Sequence, residues 1–106
     1  MATGKQKPFS DEFSTKINDQ LWAVHLVKKW PTPNTEQVGE ADLGEKRITV
    51  LTSIPPNEIL EILIHEALHA LNPWKAEEVV NRESVEIAEL LLRSGFILRR
   101  RGLGSR

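Results

Sequence analysis

The chain of 106 residues contains no cysteine and no tyrosine, and its single methionine is Met1. Without thiols, disulfides, thiol nucleophiles and thiolate-ligated metal sites are all excluded, so an ion held by this chain must be held by histidine and carboxylate. An excess of one charge is also missing. Fourteen Lys plus Arg stand against fifteen Asp plus Glu, a formal net charge of −1, which leaves no basic surplus for a phosphate backbone. No nucleic-acid partner is expected. No apolar run is long enough to span a bilayer, and the polar opening MATGKQKPFSDEFSTK lacks the apolar core of a secretory leader. No membrane partner is expected, and the expected location is the cytoplasm.

What is present fits one domain around one core. Residues 1–16 read as a flexible N-terminal arm, residues 17–98 as the folded domain and residues 99–106, RRRGLGSR, as a basic C-terminal tail. LWAVHLVKKW, residues 21–30, is rich in Val and Trp and partly alternates, the pattern of a strand covered on one face. A break at Leu43–Lys46 separates two further strands, the second running from Arg47 to Thr52. Pro55-Pro56 suits the first turn of a helix, and Asn72-Pro73 ends it, which predicts a helix over about 56–71. A second helix is predicted over about 76–93, with Val80, Ile87 and Leu91 at its apolar centre and Gly95 as terminator. The expected class is α+β: a short antiparallel sheet of about three strands packed on two main helices.

The chemistry is concentrated in HEALHA, residues 65–70, at the end of the apolar run EILEILIHEALHAL. At about 100° per residue, apolar side chains cover most of this helix, which reads as buried on nearly all sides. His65 and His69 share the remaining narrow stripe, one turn apart, so their imidazoles can close on one ion. Glu66 stands beside that pair and not in line with it. This is the arrangement of an HExxH zinc site, in which two neutral imidazoles hold the ion and the intervening carboxylate takes a proton from the attacking water. Burying three ionisable groups without partners would cost several kcal/mol, and a bound dication offsets that cost.

Catalytic zinc takes a third protein ligand. The downstream HxxGxxH pattern and a later methionine are both absent, which excludes the metzincin arrangement. The second helix offers glutamates. Glu77 stands in its first turn near the apolar direction and close in sequence to His69; Glu83 ranks next and Glu78 behind it. An acid at residue 77 is equally suited to the helix N-terminus by the macrodipole alone.

Residues 36–96 resemble the small zincin-type metallopeptidases, especially the short gluzincin-like proteins common in phage and prophage genomes. The resemblance lies in VGEAD, RITV, IPPNEILEILIHEALHAL and the EEVV…IAELLLRSGF helix, with HEALHA its specific part. It implies a zincin fold in which a strand edge over the zinc binds substrate backbone in extended form. It further implies His65 and His69 as zinc ligands, Glu66 as general base, a glutamate of the following helix as third ligand, a peptide or protein substrate and, for a phage-encoded chain, the host cytoplasm. Zincins commonly stabilise the oxyanion with Tyr or His. This chain has no Tyr, so His25, on the first predicted strand, is the candidate for that role, beside the plainer reading of an ordinary strand residue. The leading expectation is a zinc-dependent metallopeptidase, and the alternative is a catalytically inactive, zinc-stabilised binding or regulatory module. Trp74, in the turn between the helices, is expected to cap the core beside the site.

Overall fold

A computed structural model describes residues 10–31 and 36–96. The first two strands, β1 (Ser10–Ile17) and β2 (Gln20–Val27), form an antiparallel hairpin with Ile17 opposite Gln20 and Ser10 opposite Val27. Its two-residue turn is Asn18-Asp19, with φ of 52° and 63°. Both angles are left-handed, as a type I′ hairpin turn requires, and Asn and Asp tolerate that region better than other side-chain-bearing residues. Residues 10–16, read from the sequence as part of a flexible arm, are therefore a strand. Only Ile17 of this strand is buried among its described side chains, so backbone pairing holds it and hydrophobic patterning does not reveal it. The remainder of the expected arm and the expected basic tail lie outside the described residues.

Two more strands, β3 (Gly39–Asp42) and β4 (Arg47–Leu51), form a second hairpin, antiparallel from Gly39 opposite Val50 to Asp42 opposite Arg47. The sheet order is β1-β2-β4-β3. β4 thus lies between β2 and β3 and pairs with β2 in parallel, Ala23 opposite Arg47 through Val27 opposite Leu51. The described sheet has four strands and is mixed, where about three antiparallel strands were expected. Composition explains the central place of β4: RITVL buries Ile48, Thr49 and Val50, the last with no exposed surface. The edge beyond β4 falls to β3, which is short and carries Glu40 and Asp42, features that discourage edge-to-edge pairing. Backbone N–H and side-chain Oγ1 of Thr52 both donate to the Val27 carbonyl, at 2.7 and 3.2 Å, and close the end of the parallel pair.

Helix α1 (Pro56–Leu71) spans the predicted residues, and the N–H of Asn72 donates to Leu68 O at 2.8 Å where it stops. It packs through Ile59, Ile62, Leu63 and Ala70 on Trp22, Val24, Leu26, Ile48 and Val50. Of its own residues only Ile59, Glu66 and Ala70 are fully buried; the sheet and one helix cover two of its sides, so Leu60, Ile64 and Leu68 remain half-buried. Helix α2 (Glu77–Arg93) buries Val80, Ser84 and Ala88, four residues apart, while Ile87 is exposed. The packed stripe is therefore rotated from the predicted one, because small side chains at 84 and 88 let the helices approach where larger ones would hold them apart. α2 ends in a Schellman motif: Phe96 N–H donates to Leu91 O and Gly95 N–H to Leu92 O, with Gly95 at φ 95°. No helix among the described residues is long and apolar enough to cross a membrane.

Candidate metal centre and its cleft

Helical periodicity stacks His65 and His69 on one side of α1, and their rings meet edge to face with centroids 4.7 Å apart. The connection 72–76 is tight, with Lys75 N–H donating to Asn72 O, and Ala76 O starts α2 by accepting from Val79 and Val80. The first residue of α2 consequently lands over the last turns of α1. Glu77 Oε1 lies 2.8 Å from His69 Nε2, Glu77 Oε2 lies 3.2 Å from His65 Nε2, and the two Nε2 atoms are 3.1 Å apart.

These separations test the fit of an ion. Zinc bound tetrahedrally at about 2.0–2.1 Å from nitrogen and oxygen holds neighbouring ligand atoms about 3.3 Å apart. The two imidazole nitrogens, at 3.1 Å, are close to that spacing, and each lies within about half an ångström of it from one oxygen of the Glu77 carboxylate. Two imidazoles and one carboxylate also form the donor set of open, catalytic zinc sites. Among the described residues His65, His69 and Glu77 are the group whose ligand atoms converge in this way, all within 4.8 Å of one another.

Glu66 lies on the neighbouring face of α1 and is only 8 % exposed. Its carboxylate has no hydrogen-bond or ion-pair partner among the described residues. Burial above all, then the negative charges of Glu77 and Glu40, pushes its pKa from the ordinary 4.5 up to about 7. That value suits a group that must both accept and release a proton near neutrality. Gly39 seals one side of it: a β-carbon there would stand 2.8 Å from Glu66 Oε2 and 2.6 Å from Ile62 Cγ2. Only glycine lets the β3 backbone approach this closely.

A cleft of about 370 Å³ opens beside these groups, with Val38, Gly39, Ile62, His65 and Glu66 in its walls. Leu51 N–H donates to Val38 O at 2.9 Å, which sets the phase of the antiparallel ladder. Residues 38, 40 and 42 turn their backbone polar groups toward β4, so those of Gly39 and Ala41 point outward from the edge. The Gln37 amide donates to the Gly39 carbonyl at 3.3 Å.

The other sequence candidates lie elsewhere. The alternation that buries Val24 and Leu26 toward α1 turns His25 to the opposite sheet face, level with Glu12, Thr49 and Glu40. There its Nδ1 is 3.7 Å from Glu12 Oε2, so His25 does not join the histidine and carboxylate cluster. Glu83 accepts a 2.9 Å bond from Lys75 Nζ, and Glu78 is exposed and outside the converging group. Trp74 is 78 % exposed and caps nothing. Two further residues at the cleft carry weaker signals in the sequence. Gly39, within VGEAD, stands inside a strand, where a glycine signals a close backbone approach. Glu61 carries the signal of standing four residues before His65, on the same stripe of α1.

In comparisons with known proteins, the chain matches no family model, no curated protein and no solved structure.

Proposed function

We propose that the protein is a zinc-dependent metallopeptidase. The observation that carries this reading is the convergence of His65 Nε2, His69 Nε2 and the Glu77 carboxylate beside a buried, unpartnered Glu66. The chemistry supplied by a zinc ion in that trio is Lewis acidity, which makes water nucleophilic near pH ~7 and polarises a carbonyl. Glu66 takes the proton of the attacking water and passes it to the departing amine, a double duty open to a carboxyl that is buried beside the trio and committed to no other partner. The outward backbone groups of Gly39 and Ala41 bind substrate main chain in extended form by adding a strand to the sheet edge. A peptide or protein is therefore the proposed substrate. Purified protein should carry about one zinc, and Glu66→Gln should keep the metal while losing at least about 100-fold in peptide hydrolysis. Equal hydrolysis by that variant would exclude the mechanism.

A second reading has its own observation. His25 faces away from the cluster and the chain has no Tyr, so no side chain of the usual kind is in place to stabilise an oxyanion. A zinc-stabilised binding or regulatory module requires none. On this reading chelation lowers the melting temperature while no peptide is hydrolysed with any metal.

A further inference from the structure

The cleft beside the metal trio is bordered by acids on both sides. Glu36 stands on the strand side, in the segment that leads into β3, and Glu61 on α1, one turn before His65. Glu66 forms part of the wall between them. Among the described residues no lysine or arginine lines this space, and neither Glu36 nor Glu61 has an ion-pair partner. Three acids outside the cleft, by contrast, hold a cation: Glu83 holds Lys75 at 2.9 Å, Glu89 holds Arg93 at 3.1 Å and Asp42 holds Arg47 at 3.5 Å. The Glu66 carboxylate, more than nine-tenths buried and without a hydrogen bond, is turned toward Gly39 and the cleft. A concave space lined by carboxyl groups, with low-dielectric walls, concentrates a cationic ligand and repels an anion.

We propose that this cleft is a side-chain subsite for lysine or arginine, placing a basic residue of the substrate next to the bond held at the His65, His69 and Glu77 centre. The proposal rests on the peptidase reading and specifies its substrate class. Val38 and Ile62 supply apolar walls along which the methylenes of a long basic side chain can lie while its charged head reaches Glu36 and Glu61. A second metal ion is the poorer occupant, since Glu36 and Glu61 are not among the described residues whose ligand atoms converge. A free amine is poorer too. The outward-facing backbone of Gly39 and Ala41 adjoins the same cleft, so a cation delivered on an extended main chain gains hydrogen bonds that a free amine cannot make.

The test uses zinc-loaded protein and fluorescent peptides that differ by one residue, Lys, Arg, norleucine or Glu, stepped along an otherwise constant backbone. Binding is read by anisotropy and hydrolysis by mass spectrometry on the same samples. At the best position Lys and Arg should bind about fivefold or more tighter than norleucine, with Glu weaker still. Glu36→Gln and Glu61→Gln should each reduce that ratio, and Glu61→Lys should move the preference toward the Glu peptide; melting curves verify that each variant is folded. Equal binding of the peptides at every position, no binding of any, or a preference that survives in the folded Glu36→Gln/Glu61→Gln double variant overturns the proposal. A basic preference in binding without hydrolysis upholds the subsite and overturns the peptidase reading. Hydrolysis with no basic preference does the reverse.

Discussion

Gly39 and Glu66, one on the edge strand and the other on α1, are so close that a β-carbon on the first would stand 2.8 Å from Oε2 of the second. The edge of the sheet and the buried acid are thereby one structural unit. Gly39→Ala should force β3 away from α1, because the added carbon also meets Ile62 Cγ2 at 2.6 Å. Urea denaturation should show a loss of about 1–3 kcal/mol, as for overpacking elsewhere. Gly44→Ala is the control: its nearest contact would be Asp42 Oδ1 at 3.6 Å, ordinary van der Waals distance, and stability should change by less than about 0.5 kcal/mol.

Zinc affinity should distinguish the glutamates of α2. Competition titration with a chromogenic chelator should show Glu77→Gln weakening zinc by at least the roughly 10–100-fold seen when outer-sphere partners are lost. Glu83→Gln should leave affinity within about twofold, because Glu83 is committed to Lys75. Comparable losses in both variants would remove Glu77 from the ligand set.

The acid at 66 makes the metal-free protein sensitive to pH in a stated direction. Its folded pKa of about 7 lies above the ordinary 4.5, so the folded state keeps a proton that the unfolded state has released. Its contribution is complete below the lower value, declines as pH rises between the two and is lost above the upper. Relative to Glu66→Gln, the parent should lose on the order of 2 kcal/mol between pH 4 and pH 8, after allowance for solvent screening. Parallel stability curves for parent and variant would contradict the burial of an unpartnered carboxylate.

Ser84 connects packing to the site. It is buried between Val80 and Ala88 on the packed stripe of α2, its hydroxyl donating to Asn81 O at 3.0 Å. Ser84→Leu should overfill the helix contact, costing about 1–3 kcal/mol, and should also weaken zinc binding by displacing Glu77 at the head of the same helix. Ser84→Ala removes one local hydrogen bond and should cost about 1 kcal/mol or less with zinc affinity retained.

The more local a signal in the chain, the more closely the structure follows it. The helix expected over 56–71 is Pro56–Leu71 and the second, expected over about 76–93, is Glu77–Arg93, since prolines, a Gly95 terminator and 3.6-residue periodicity act within a few residues of the ends they define. β1 is hidden in the sequence for the complementary reason. Its described side chains are exposed apart from Ile17, so hydrophobic alternation is faint, and the informative feature was the Asn18-Asp19 pair, which takes two left-handed angles in succession.

The alignment of His65 with His69 is a property of any α-helix through those residues, and the sequence by itself determined it. The sequence also determined that an ion between them must be held by nitrogen and oxygen, because no thiol exists anywhere in the chain. Among the glutamates that the sequence ranked, tertiary structure brought the first, Glu77, to the histidines, and it alone decided that β4 enters between β2 and β3 and that His25 looks out from the far side of the sheet. Those outcomes depend on the rotation and closeness of one element against another. Ser84, Ala88 and Gly39 set that closeness through what their small side chains leave out, and a pattern of polar and apolar letters does not register absent volume.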